Sequence, residues 1–178
     1  MFFDCDGDND LDLVVASGSV EHPPANPAYA DRMYLNDGKG YFVPAKSGSL
    51  PTNLDSSSVI ATADFDRDGD LDLFIGGRGV PGAYPTASSS RLLRNSNGKF
   101  TDVSKLSPAL TEKRIVTGAI WSDADGDGWV DLLISTEWGP IQFLRNDKGK
   151  LVDATEESGL SPFLGSVSYT HLTLPTKA

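Results

Sequence analysis

One ten-residue pattern, Asp-x-Asp-x-Asp-Gly-x-x-Asp-Leu, recurs three times at near-constant spacing and constrains both fold and chemistry. The middle copy is Asp64-Phe65-Asp66-Arg67-Asp68-Gly69-Asp70-Leu71-Asp72-Leu73. The last is Asp123-Ala124-Asp125-Gly126-Asp127-Gly128-Trp129-Val130-Asp131-Leu132. The first is Asp4-Cys5-Asp6-Gly7-Asp8-Asn9-Asp10-Leu11-Asp12-Leu13, with Asn9 where the others have Gly. The leading Asp stands at positions 4, 64 and 123, so the period is 60 and then 59 residues. A fixed period of this kind marks a repeat architecture.

Carboxylates crowded on one tight loop repel. Each pair at about 4 Å costs roughly 1 kcal/mol in water and several times that near a protein surface. A single Asp-rich turn leaves room for an ordinary acidic surface turn, but three in register call for a counterion. Asp at loop positions one, three and five converges three oxygens on a point, and Gly or Asn at position six turns the chain back around it. The backbone carbonyl at position seven (Asp10, Asp70, Trp129) is the next ligand, and the carboxylate at position nine (Asp12, Asp72, Asp131) closes the shell. Oxygen-only ligation on a flexible loop favours Ca²⁺ over Zn²⁺, copper or Mg²⁺. About three Ca²⁺ ions are expected, one per loop.

An EF-hand loop begins the same way but needs Glu at position twelve and flanking helices. Position twelve here is Val15, Ile75 and Ile134. Each loop runs into a short apolar segment, Leu13-Val14-Val15, Leu73-Phe74-Ile75 or Leu132-Leu133-Ile134, which reads as a buried strand.

The similarity extends past the loops. Each copy continues to Arg32-Met33-Tyr34-Leu35-Asn36, Arg91-Leu92-Leu93-Arg94-Asn95 or Gln142-Phe143-Leu144-Arg145-Asn146. A Gly-containing turn follows, and a further strand begins at Phe42, Phe100 or Leu151. Strands before the loop are expected over 59–63 and 116–122. Each unit is thus strand, acidic loop, strand, connection, strand, Gly turn, strand. The fold class is all-β, a partial β-propeller of about three four-stranded blades. Blade one spans 1–50 with its first strand cut short, blade two spans 51–108, and 109–166 holds blade three and the start of the next.

On these residues the chain resembles the FG-GAP/VCBS repeats of integrin-α-like β-propellers. It looks most similar to bacterial VCBS repeat proteins of the ASPIC/UnbV-associated group. The resemblance is carried by the three acidic loops, by Gly76-Gly77-Arg78-Gly79-Val80-Pro81-Gly82-Ala83-Tyr84-Pro85, and by Leu92-Leu93-Arg94-Asn95 leading to Phe100-Thr101-Asp102-Val103. It covers residues 2–165. It implies Ca²⁺ bound between the first two strands of each blade, with site one the weaker because of Asn9.

Propellers have about 4–8 blades, so three units read as a segment whose partners include the remaining blades of a longer chain. Residues 167–178, containing His171, match nothing in the repeat. They resemble a translated library adaptor and are expected to be a non-native tail.

The net charge is −10, and 14 of the 25 acidic residues sit in the three loops. Three divalent ions would raise it by 6, to −4. No basic stripe is available for a phosphate backbone, so nucleic acid is not an expected partner. No apolar run is long enough to span a bilayer, and a single cysteine excludes an internal disulfide framework. Loops of this kind suit the calcium levels of extracellular modules, so an extracellular, cell-surface or periplasmic location is expected.

No nucleophile–base set, phosphate loop or histidine-based zinc spacing occurs, and no enzyme activity is expected. Strand alternation puts the acidic loops and Gly turns on one face. The connections over 17–31 and 76–90, with His22, Tyr29, Arg78 and Tyr84, fall on the other, joined by Glu137 and Trp138. Long loops on a rigid scaffold favour binding. The expected role is extracellular protein or glycan binding or adhesion. The alternatives are a non-catalytic scaffold within a larger secreted, polysaccharide-acting enzyme, or a lectin-like propeller. Aromatics recurring at one equivalent position on the loop-rich face are what a lectin would show, and Tyr29, Tyr84 and Trp138 correspond only loosely.

Overall fold

Every strand pair among the described residues is antiparallel, and each four-stranded sheet is built from consecutive strands. The structure, a computed structural model, describes residues 1–110 and 112–162; the expected tail over 167–178 lies outside the described residues. The first sheet holds β1 (Phe2–Phe3), β2 (Asp12–Val15), β3 (Arg32–Asn36) and β4 (Phe42–Pro44). The second holds β5 (Ser57–Ala63), β6 (Asp72–Gly77), β7 (Arg91–Arg94) and β8 (Thr101–Asp102). The third holds β9 (Val116–Ser122), β10 (Asp131–Thr136), β11 (Gln142–Asn146) and β12 (Leu151–Asp153). Spatial order follows chain order in all three. This is the architecture of propeller blades.

Short apolar runs with alternating burial explain how the sheets stack. In β2 and β3, Val14 pairs with Met33, and both face the second sheet with Phe3 and Cys5. The same core takes Leu73, Ile75, Leu93 and Phe100 from the second sheet. The intervening residues Phe74 and Leu92 point the other way and pack with Leu132, Ile134, Leu144 and Leu151 of the third. The middle sheet is therefore covered on both faces, and all six residues of β6 are buried. Fully burying one such side chain stabilises by about 1.5–3 kcal/mol. Aromatic contacts mark both interfaces: Phe3 meets Phe100 edge-on at 6.4 Å, and Phe65 stacks on Trp121 at 6.3 Å.

β6 runs two residues past its apolar stretch, through Gly76 and Gly77. A Cβ on Gly76 would lie 2.7 Å from Val116 Cγ1, and one on Gly77 would lie 2.3 Å from Ser88 O. Only glycine lets β9 and the 88–90 segment approach this closely. The fourth strand of the second sheet begins at Thr101 and not at Phe100, because Phe100 N–H donates to Ser49 O at 2.7 Å in the link between sheets. Short 3₁₀ turns at Pro27–Tyr29, Ser104–Leu106 and Pro108–Leu110 occupy connections. No helix among the described residues is long and apolar enough to cross a membrane.

Candidate metal centres

Each acidic loop joins the first two strands of its sheet and is folded by its own aspartates. The leading carboxylate accepts two loop N–H groups: Asp4 from Gly7 and Asn9, Asp64 from Asp68 and Gly69, Asp123 from Gly126 and Gly128, all at 2.8–3.1 Å. Position five accepts from position seven in every copy, Asp8 from Asp10, Asp68 from Asp70 and Asp127 from Trp129. Position six is left-handed as expected, with φ of 71° at Asn9, 98° at Gly69 and 86° at Gly128. Position four is left-handed too: Gly7, Arg67 and Gly126 have φ of 80°, 62° and 78°. Two left-handed residues in three are what curl the loop, and only the second of them was anticipated.

Three groups of carboxylates converge so that one oxygen from each lies within 4.8 Å of the others: Asp4, Asp6 and Asp8; Asp64, Asp66 and Asp72; Asp123, Asp125 and Asp127. Position nine has a second task. Asp12, Asp72 and Asp131 are buried, and each accepts one N–H from loop position two and one from the Asn that ends the third strand or, for Asn95, directly follows it. The partners are Cys5 and Asn36, Phe65 and Asn95, Ala124 and Asn146, at 2.8–3.1 Å. The position-seven side chains of Asp10 and Asp70 lean toward the Gly turn. Asp70 Oδ2 accepts from Asn97 N at 3.0 Å, and Asp10 Oδ2 lies 3.5 Å from where a Gly38 Cβ would stand. Trp129 instead lies under Arg67 of the neighbouring sheet, 5.2 Å from the guanidinium carbon.

The electrostatics show strain. Burial raises Asp6 above the usual carboxylate range, helped by Asp12 and Asp8. Burial also raises Asp66, with Asp68 adding and Arg94 opposing. Desolvation raises Asp10, with Asp8 and Asp12 adding. Burial pushes Asp72 up to about 7, against the two N–H bonds it accepts. Asp6 Oδ1, Asp10 Oδ1 and Asp66 Oδ1 are buried oxygens with no hydrogen-bond partner among the described residues. Asp6 and Asp66 are equivalent, so the same loop position carries an unpartnered oxygen in two copies. A hard divalent cation fits this donor set of clustered carboxylate oxygens.

The next sheet roofs the loop. The Gly turn of the second sheet lies on the first loop, where a Cβ on Gly98 would come within 2.9 Å of Asp6 Cβ; Gly149 of the third sheet lies 3.5 Å from Asp66 Cβ in the same sense. Asn95 and Asn146 bind this arrangement together. Their roles were not assigned from the sequence, although their recurrence at one place in the repeat was the available signal.

In the longer connections, the three loosely corresponding aromatics part ways. Tyr29 is buried, its hydroxyl donating to His22 O at 2.6 Å and accepting from His22 N at 2.9 Å, so it is a packing residue. Tyr84 and Trp138 are exposed.

Repeated four-stranded sheets with an acidic loop between the first two strands define a segment of β-propeller blades. Residues 4–75 match the family model of the FG-GAP-like repeat. It is 30% identical over 156 residues to cartilage acidic protein 1 of Mus musculus, and 28% identical over 158 residues to the Homo sapiens protein of that name. Each match covers 82% of this chain and 22% of the relative, so the chain spans about a fifth of the length of these proteins.

Proposed function

We propose that this chain is a calcium-stabilised run of propeller blades that binds a protein or glycan outside the cytoplasm and performs no catalysis. The paired unpartnered oxygens, Asp6 Oδ1 and Asp66 Oδ1, carry the calcium reading, because burying a carboxylate oxygen without a partner is costly. Asp4, Asp6 and Asp8, then Asp64, Asp66 and Asp72, then Asp123, Asp125 and Asp127 hold the ions. These tie each sheet's first hairpin, while the opposite face presents the longer connections. The relatives' name refers to cartilage and to acidity, which supports an extracellular setting for an acidic chain.

Thermal melting of the chain in EGTA, in millimolar Ca²⁺ and in millimolar Mg²⁺ tests this. A ligand at about a hundred times its Kd stabilises by roughly 2.7 kcal/mol per site, so calcium raises Tm by several degrees and magnesium by less. Identical melting in EGTA and calcium overturns the metal assignment.

A further inference from the structure

The connection between β6 and β7 folds into a small hairpin. Val80 N–H donates to Thr86 O at 2.7 Å, Ser88 N–H to Arg78 O at 2.6 Å, and Gly79 bridges Ala87. Its tip carries Tyr84 to the turn after β10, where Glu137 N–H is held by Ile115 O at 2.9 Å. There the Tyr84 hydroxyl donates to Glu137 Oε1 at 2.9 Å and accepts from Trp138 Nε1 at 3.1 Å. The polar ends of both rings are thus spent on fixing each other. The rings themselves stay open to solvent, Tyr84 at 61% and Trp138 at 71% exposure. Scattered exposed aromatics need no explanation. Two from different sheets, locked by a shared hydrogen-bond chain, form a preorganised ridge.

The ridge separates two hollows. One of about 630 Å³ is lined by Val20, Arg78, Val80, Tyr84, Ile115 and Glu137. The other, about 250 Å³, is lined by Pro85, Lys113, Arg114, Ile115 and Trp138. Ligand pockets fall in the range of about 300–1,000 Å³, which the larger hollow meets alone. Among the described residues the Arg78 guanidinium has no ion-pair partner, while Glu137 is bonded through one oxygen only. Charge is close to balanced, with Arg78, Lys113 and Arg114 against Glu137 and Glu112 leaving one net positive charge, and Arg114 pairs with Glu112 at 2.8 Å. Neither a polyanion nor a cationic peptide is selected by such a lining.

We propose that this ridge and its hollows bind a neutral oligosaccharide, a reading that rests on the extracellular binding role above. The apolar C–H faces of the sugar rings lie against Tyr84 and Trp138. Arg78 donates to hydroxyl groups and the free oxygen of Glu137 accepts from them. An extended chain crosses the ridge, with one sugar in each hollow.

The test titrates the calcium-loaded full chain with neutral hexasaccharides of glucose (α- and β-linked), mannose and N-acetylglucosamine, by calorimetry and by saturation-transfer NMR. At least one binds. Trp138→Ala and Tyr84→Ala each weaken it by about tenfold or more, which corresponds to roughly 1.4 kcal/mol. Tyr84→Phe, which keeps the ring face, costs less, and Arg78→Ala, an exposed change that spares the fold, also weakens binding. Melting of each variant in calcium checks its folding. The proposal is overturned if no hexasaccharide binds the parent, if binding survives both aromatic-to-alanine changes, or if only a sulfated saccharide or a protein competes at the ridge. Sugar binding without any calcium response overturns the metal reading alone, and a calcium response without sugar binding overturns the cleft alone.

Discussion

Asn95 Nδ2 donates to the Cys5 carbonyl at 2.8 Å, crossing from the third strand of one sheet to the acidic loop of the sheet before it. The same nitrogen donates to Leu71 O in its own loop at 3.1 Å, and Asn95 Oδ1 accepts from Gly98 N at 3.0 Å. One sheet further on, Asn146 repeats every part: Phe65 O at 2.8 Å, Val130 O at 3.0 Å, and Gly149 N at 2.8 Å. A single buried amide therefore joins two loops and one Gly turn, and it couples neighbouring acidic loops to sheet packing.

Removing that amide strands buried carbonyls on both sides. Asn95→Ala and Asn146→Ala are each expected to destabilise by about 1–3 kcal/mol, the range for buried groups left unpaired. Asn36 is only half-buried and donates to Leu11 O alone, within its own sheet. Asn36→Ala should cost less than about 1 kcal/mol. Urea unfolding of the three variants in calcium checks the order, and equal costs at the three positions would remove the latch.

The left-handed residues give a second prediction. Arg67 at φ 62° bears the steric cost of an L side chain there, about 1–2 kcal/mol, but it also covers Trp129, a contact worth about 0.5–1 kcal/mol at exposed sites. Arg67→Ala loses the contact and keeps the strain, so it should be less stable than the parent. Arg67→Gly loses both and should lie near the parent. Asn9→Gly at φ 71° sheds strain without losing such a contact, and should stabilise the first loop by a few tenths of a kcal/mol up to about 1 and tighten its calcium affinity. Denaturation curves and calcium titrations of these three variants read both effects.

Cys5 makes a third. Its thiol is buried, and burial with the neighbouring Asp12 pushes its pKa well up. Thiolate is the reactive form, so a disulfide reagent should modify native Cys5 at least about a hundredfold more slowly than the urea-unfolded chain. Calcium should slow it further by holding the loop closed. Modification at the unfolded rate in calcium would show the first loop to be open.

How much of this was readable beforehand follows from the reach of each interaction. The third strands, Arg32–Asn36 and Gln142–Asn146, and the first strand Val116–Ser122 fall where the apolar runs and Gly turns put them, because strand and turn signals are local. The acidic loops are local as well, with aspartates two residues apart. The Asn95–Cys5 and Asn146–Phe65 bonds join residues 90 and 81 apart in the chain. The Tyr84–Glu137 bond spans 53. Such pairs depend on how one sheet seats against the next, and no spacing rule within a repeat carries that. Tyr29 shows the converse: it falls in a long connection of the kind that favours binding, but it is buried and hydrogen-bonded to His22.

Asp72 makes the fourth prediction, for the ion-free chain. Its folded pKa of about 7 stands above the value of about 3.9 for an unfolded Asp. Between those values the native state holds a proton that the unfolded chain has released, so stability falls as pH rises. The loss begins near pH 4 and is complete just above pH 7, and it amounts to something on the order of 4 kcal/mol. In EDTA, the chain should therefore be more stable at pH 5 than at pH 8. Asp72→Asn, neutral throughout, should flatten that slope. Calcium binding requires the charged carboxylate, so the stabilisation it brings should shrink as pH falls below 7, opposite in sign to the ion-free trend. Melting series at matched ionic strength, with EDTA and with calcium, separate the two. Parallel pH curves with and without calcium would place Asp72 outside the ion's reach and leave its burial as a purely structural bond to Phe65 and Asn95.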